Sequence, residues 1–212
     1  MNREQFIEEL RKIDIDINDE QLKKLDNFYN LLIEWNKKIN LTRITEEKEV
    51  YLKHFYDSLT IARVIDLNKV ESLCDVGTGA GFPGIVLKIM YPNLKITLVD
   101  ALQKRVNYLN EIIKDLELEN INAIHIRGEE LKVKYDIVTA RAVANIEKLL
   151  TYTMHLLNQN GKLIAMKGNI EEEITDEVKS RIEKKYNIEK IDKFNLPIEN
   201  SSRSLVVITK KK

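Results

Sequence analysis

The sequence predicts an α/β protein: a seven-stranded, mostly parallel sheet with helices on both faces, preceded by a helical extension. Three observations carry this prediction. The first 68 residues place their apolar side chains at helical spacing. From Glu71 onward short apolar runs alternate with helical segments, the texture of a parallel sheet with crossover helices. Four of the seven glycines, Gly77, Gly79, Gly81 and Gly84, fall within eight positions at a strand-to-helix turn.

In chain order, Phe6, Ile7 and Leu10 form a short apolar stripe, and Leu22, Leu25, Tyr29, Leu32 and Ile33 a longer one, so two helices open the chain. A third is expected to start at Thr45, an N-cap followed by acids that suit the helix dipole, and to run through Val50, Tyr51, His54, Phe55, Ser58, Leu59 and Ala62. Strands are predicted at Ser72 to Val76, Lys95 to Val99, Asn122 to Ile126, Asp136 to Ala140 and Lys162 to Met166. Phe82 to Met90, Lys104 to Leu116 and Asn145 to Leu157 are the helices between them, each with an apolar face to cover the sheet. After an acidic-then-basic helix from Ile170 to Lys185, Ile188 to Phe194 and Leu205 to Lys210 are expected to close the sheet as a hairpin, turning through Pro197 and Asn200-Ser201-Ser202. The chain thus divides into an extension over residues 1–68 and a sheet domain over 69–212. No repeat, low-complexity tract or long linker separates the two, so the extension should pack on the sheet, and Lys210-Lys211-Lys212 should be a solvated end.

Composition narrows the function classes. The 34 basic residues balance 34 acidic ones, so net charge gives no sign of a polyanion partner, and a nucleic-acid face would need local asymmetry. The lone Cys74 lies in an apolar run and the three histidines are scattered, so neither a disulfide framework nor a zinc spacing exists, and no metal is expected. A reducing cytoplasm is the expected compartment. The amino-terminal MNREQFIEEL is charged where a signal peptide needs an apolar stretch, and nowhere do about 18 apolar residues run together. A soluble, unexported protein with no membrane partner is expected.

Glycine is required where the backbone takes positive φ or where a ligand comes too close for a Cβ, and at this place in an open parallel sheet ligands bind. Two ligand classes compete for the loop. Gly79-Ala-Gly81-Phe-Pro-Gly84 fits the dinucleotide pattern G-x-G-x-x-G, with Asp100 about 20 residues on. The alternative register begins at Asp75, as Asp-x-Gly-x-Gly-x-Gly. A pyrophosphate prefers a helix N-terminus without a carboxylate beside it, whereas a sulfonium is favoured by one. Asp75 would then accept from loop amides and favour a cation, with Gly77, Thr78, Gly79 and Gly81 admitting the methionine portion of S-adenosyl-L-methionine; the plain alternative is that Asp75 only caps the turn. Asp100 would take both ribose hydroxyls, or cap the next helix with Lys104 and Arg105 as partners.

Taken in order, Asn40-Leu-Thr-Arg43, His54-Phe-Tyr-Asp-Ser-Leu59, Asp75-Val-Gly-Thr-Gly-Ala-Gly-Phe-Pro-Gly84, Val138-Thr-Ala-Arg-Ala-Val143 and Ala165-Met-Lys-Gly168 resemble the bacterial 16S ribosomal RNA guanine-N7 methyltransferase family, formerly called glucose-inhibited division protein B. The similarity runs from about Leu32 to the end, with Arg203-Ser-Leu-Val-Val-Ile208 matching its final strand. The resemblance implies a Rossmann-like class I methyltransferase domain that moves a methyl group from S-adenosyl-L-methionine to N7 of one guanine. The implied partner is 16S rRNA or the small ribosomal subunit, met by a monomer. It also implies cofactor contacts at Gly77 and Phe82, an adenine-flanking role for Gly128 and Glu129, and contact of Arg141 with cofactor and substrate. Position 128 departs from the family, where a small side chain is expected, leaving only a main-chain contact there.

Guanine N7 carries an in-plane lone pair and no proton, so no general base is needed and positioning should dominate. Arg141 and Lys167, each following a strand that should end at the crevice, are the candidates to hold guanine O6, phosphate or the cofactor carboxylate; Lys167 reads equally well as a surface lysine. His54, Asp57 and Ser58 are spaced to share one helical face and reach the mouth of the site, or to form a solvated stripe. Asn36, Asn40, Thr42 and Arg43 read as a helix end and polar loop, with RNA contact the sharper claim, and Arg203 as a phosphate contact or an exposed residue. His125, His155 and Trp35 read as ordinary structural residues. A nicotinamide-dependent oxidoreductase and a non-catalytic RNA-binding module are the rival readings.

Overall fold

The computed structural model describes residues 1–211. Helix α1, Arg3–Arg11, and helix α2, Asp19–Ile39, each begin with a capping box, Asn2 with Gln5 and Asn18 with Gln21, and so satisfy their first amides locally. Helix α2 ends where Asn40 turns left-handed at φ 49. The third helical run differs from expectation. It starts at Glu47, not Thr45, because the preceding turn is held open: Asn36 accepts from the amides of Leu41 and Thr42, and the Thr42 hydroxyl from that of Ile44. Nor is it one regular helix. Helix α3, Glu47–Val50, passes into a π-helical turn over Tyr51–Tyr56, then α4, Asp57–Leu59, and a 3-10 turn over Thr60–Arg63.

The sheet strands are β1 Ser72–Val76, β2 Lys95–Asp100, β3 Ile121–His125, β4 Tyr135–Arg141, β5 Leu157–Lys167, β6 Tyr186–Asn195 and β7 Ser202–Lys210. They lie in the order β3-β2-β1-β4-β5-β7-β6, and only β7 runs against its neighbours. The chain winds outward from β1 to β3, then returns to place β4 on the other side of β1. That reversal opens a crevice beyond the carboxyl ends of β1 and β4. Helices α5 Gly84–Met90, α6 Gln103–Asp115, α7 Ile146–Thr153 and α8 Asp176–Glu183 complete the layers. Three boundaries move furthest. Helix α7 stops at Thr153 and β5 already starts at Leu157, and α8 begins only at Asp176, where Thr175 caps the Val178 amide. Lys210 belongs to β7 and donates its ammonium to the Leu157 carbonyl, so the expected solvated end is confined, among the described residues, to Lys211.

Two apolar clusters flank the sheet. One joins Phe6, Leu10, Phe28, Leu32 and Phe55 of the extension to Leu73, Ile96, Leu98, Ile137 and Ile164 of the strands, so extension and sheet share a core. Each such buried side chain contributes roughly 1.5–3 kcal/mol. The other cluster packs Ile146, Leu149 and Ile182 under the opposite face. Among the described residues no helix is long and apolar enough to cross a membrane.

Candidate cofactor and substrate site

Asp75 is the penultimate residue of β1, with its side chain fully buried. Its Oδ2 accepts from the Thr78 hydroxyl at 2.6 Å and from the Gly84 amide at 2.9 Å, which folds the loop back over the strand. Among the described residues Oδ1 has no hydrogen-bond partner. Burial pushes the carboxyl up to about 6, against the pull of Thr78, Gly84 and Arg141. Asp75 therefore does cap the turn, and it also keeps one carboxylate oxygen unsatisfied. Gly79, at φ 61, meets nothing nearer than 4.0 Å where a Cβ would stand, so its main chain is open to a ligand. Gly84 is glycine for packing: a Cβ would come within 2.2 Å of Leu98. Thr78 is buried and spends its hydroxyl on Asp75.

Asp100, at the end of β2, ties the loop to the strand. Its Oδ2 accepts from the Gly79 amide at 3.0 Å and faces Arg105 at 3.4 Å, and its Oδ1 accepts from the Leu102 amide at 2.9 Å. The expected cap is thus a local turn, since Leu102 and not Asp100 precedes the first turn of α6. An ionised carboxylate has about four acceptor positions, so capacity for a ribose remains. Gly128 and Glu129 form a short turn beyond β3 at the same edge of the sheet. A Cβ at Gly128 would sit 2.9 Å from Val76 and 3.3 Å from the Tyr152 carbonyl, which explains the glycine.

Phe82 is wrapped by Phe28 and Phe55 and stacks on the His54 ring at 4.4 Å. It braces the loop against the extension, leaving ligand contact chiefly to its main chain. The Arg141 guanidinium lies over the other side of this cluster, 5.1 Å from the Phe82 ring centroid. It donates to the Lys53 carbonyl, to Asp57 Oδ2 at 3.1 Å and to His54 Nδ1 at 3.2 Å. Arginine has no acceptor, so His54 offers the Nδ1 lone pair and its Nε2–H goes to the Thr42 hydroxyl at 2.9 Å. Burial first, then the Arg141 charge, push the imidazole down to about 3, so it stays neutral at ordinary pH. Asp57 Oδ1 takes Arg203 at 2.9 Å, completing a chain from the helical extension through β4 to β7.

A cavity of about 670 Å³ opens beside this chain, with His54, Asp57, Arg141, Lys167, Glu173 and Arg203 in its wall.

The family model for rRNA small subunit methyltransferase G (GidB) matches residues 21–206. The chain belongs to this family. Ribosomal RNA small subunit methyltransferase G of Bacillus subtilis (strain 168) is 44% identical over 99% of this chain and 91% of its own length, and that of Staphylococcus carnosus (strain TM300) is 43% identical over 100% and 91%. Among solved structures, a SAM dependent methyltransferase from Aquifex aeolicus superposes with a TM-score of 0.59 at 17% identity, over 83% of this chain and 97% of that one. A mutant of MtNAS in complex with S-adenosylmethionine gives 0.62 at 14%, over 91% and 76%. These likenesses show the class I methyltransferase fold. Membership in the rRNA methyltransferase G family decides against the dinucleotide reading of the glycine loop and against a module without catalysis.

Several sequence expectations for this family member change in detail. Lys167 is not a surface lysine: its side chain is 8% exposed, and its ammonium donates to the Ala144 carbonyl and to Glu173 at 2.7 Å. Ser58 is fully buried with its hydroxyl on the His54 carbonyl, so it does not reach the mouth; the π-helical turn breaks the spacing that put it there. His54 and Asp57 are buried as well, which removes the solvated-stripe reading. Arg203 is neither exposed nor free. Asn40 and Arg43 are exposed on the loop after α2. His125 and His155 bond to the Ala101 and Leu131 carbonyls, and Trp35 packs edge-on against Tyr108, all structural. Glu173 was missed: a run of three glutamates reads as solvated, and nothing local marks the last as the partner of Lys167.

Proposed function

We propose that this methyltransferase transfers the methyl group of S-adenosyl-L-methionine to N7 of one guanine in the 16S rRNA of the small ribosomal subunit, acting as a cytoplasmic monomer. The observation that carries the reading is the pairing of a buried, unsatisfied Asp75 oxygen beneath a glycine loop that is open at Gly79 with a basic cavity beside it. A sulfonium cation suits the first and an RNA strand the second. The cofactor supplies an electrophilic methyl group.

The residues that would hold it are Gly77, Gly79 and Gly81 through their main chain, Asp75 and Thr78 beneath them, Asp100 at the ribose, and Gly128 and Glu129 beside the adenine. Phe82 contributes by keeping the loop in place. Guanine N7 has no proton to lose, so the chain needs orienting groups and no base. Arg141, fixed on three sides by Lys53, Asp57 and His54, is a rigid cation at the end of β4 between the two ligands. Lys167 stands on the substrate side. Asn40, Arg43 and Arg203 extend a basic and polar path for the strand, with His54 and Asp57 acting through Arg141 and Arg203.

Calorimetric titration paired with a transfer assay tests this. S-adenosylhomocysteine is expected to bind and NADH not to, and label from S-adenosylmethionine is expected in RNA of small subunits lacking the modification. Binding of NADH alone, or label in protein and not in RNA, would overturn the reading.

A further inference from the structure

The cavity between the ends of β4, β5 and β7 must accept a polyanion on the reading above, and its wall is basic at Lys53, Arg141, Lys167 and Arg203. Two carboxylates nevertheless stand in it. Asp57 is saturated within the fold, with Oδ1 on Arg203 and Oδ2 on Arg141. Glu173 is not. Its Oε1 accepts from Lys167 and from the Ile146 amide that opens α7, while Oε2 has no hydrogen-bond partner among the described residues and a quarter of the side chain is exposed.

A similar count applies to Lys167. An ammonium has three donors, and two are committed, to the Ala144 carbonyl and to Glu173. The pair therefore has one donor and, beside it, one acceptor left over. Going round a purine from N7, guanine presents an acceptor, O6, and then a donor, N1–H. Adenine presents the reverse, an amino donor and then the N1 lone pair. A carboxylate facing RNA repels phosphate, and its presence in this wall calls for a partner with a hydrogen to give.

We infer that Glu173 is a specificity-determining residue of the site: with Lys167 it reads the target base as guanine, Lys167 donating to O6 and Glu173 Oε2 accepting from N1–H. The inference rests on the guanine methyltransferase reading and names how that site selects its base. An adenine held with N7 in the same place would set donor against donor and lone pair against carboxylate, which disfavours it at both positions. Glu173 also anchors the first amide of α7, so a structural contribution accompanies the recognition and has to be separated from it.

The separating experiment crosses the residue with the base. Small subunits are reconstituted with RNA carrying guanine or 2-aminopurine at the position that the wild-type protein methylates; 2-aminopurine keeps N7 and the 2-amino group but lacks O6 and N1–H. In the wild type the change of base should lower kcat/KM by about 10- to 100-fold. In Glu173→Gln, which keeps an acceptor for the Ile146 amide but turns an amide N–H toward N1, the same change should cost at least about threefold less than in the wild type, because the N1–H reading is already gone and only the Lys167 bond to O6 remains to be lost. Glu173→Asp, which keeps the charge but shortens its reach, should fall between. An equal base effect in wild type and Glu173→Gln overturns the inference, and so does a uniform loss on both bases with a lowered melting temperature, the signature of a purely structural role. A wild-type protein inactive on the guanine particle overturns the parent reading together with this one, whereas an active wild type without the crossed effect overturns the inference alone.

Discussion

Asp75 is the residue at which stability and function pull apart. Its native pKa, pushed up to about 6 by burial, lies above the value of an unfolded aspartate, so the native state holds a proton that the unfolded chain releases between about pH 4 and pH 6. Native stability attributable to this group therefore falls as pH rises through that window. His54 acts in the opposite sense: held down to about 3, it contributes stability that is present above pH 6.5 and lost as pH falls toward 3. Asp75→Asn isolates the first effect. Without cofactor, the stability of the variant relative to wild type should rise by about 2 kcal/mol between pH 4 and pH 7.5, measured by urea denaturation. A pH-independent difference would mean that the buried carboxyl is not strained. Asp100 offers a simpler test, since Asp100→Ala removes the ribose acceptor and should weaken S-adenosylhomocysteine binding by about tenfold or more in calorimetry. Unchanged affinity would leave Asp100 with only its bonds to Gly79 and Leu102. Both acids were legible in the sequence because local spacing around a strand end places them. The Asp57 pairs were not, since the partners lie 84 and 146 residues away and no periodicity connects them.

At the scale of elements, the irregular helical run from Glu47 to Arg63 matters most. Its apolar side chains announce a helix, and a helix is largely what forms, but a π-helical turn has no compositional signature and changes which side chains share a face. Spacing by three and four therefore grouped Ser58 wrongly with His54 and Asp57, although two of the three do meet the end of β4. The turn is pinned to the sheet through Asp57, whose side chain is only 6% exposed between Arg141 and Arg203. Removing it leaves two arginines facing each other without their counter-ion, so Asp57→Ala should cost about 3 kcal/mol in denaturant unfolding. A midpoint within error of wild type would show that the pairs are solvent-screened and do not hold the elements together. The boundaries of α7, β5 and α8 moved for a different reason. Leu157 and Ile170 are apolar enough for either a helix or a strand, and only the Thr175 cap and the pairing of Tyr135 with Leu157 decide between them.

Over the whole molecule, the sheet order was readable from the alternation of apolar runs and helices, whereas the merger of extension and sheet into one apolar cluster was readable only as the lack of a linker. Phe28 and Phe55 pack on Phe82 of the glycine loop, so the first 68 residues complete the wall of the site. One cooperative unfolding transition is expected, coincident by tryptophan fluorescence and far-ultraviolet circular dichroism, and a chain lacking residues 1–68 should fail to fold. Two separated transitions would contradict the shared core. The central claim is that this molecule brings a methyl donor under the glycine loop together with a guanine in the basic cavity. Its most direct test is to incubate the protein and S-adenosylmethionine with small subunits lacking the modification, then cleave the RNA chemically at 7-methylguanine and map the breaks. Scission at a single guanine, absent when cofactor or protein is omitted, is the predicted result; methylation at another base or atom, or no new scission at any guanine, would contradict the account.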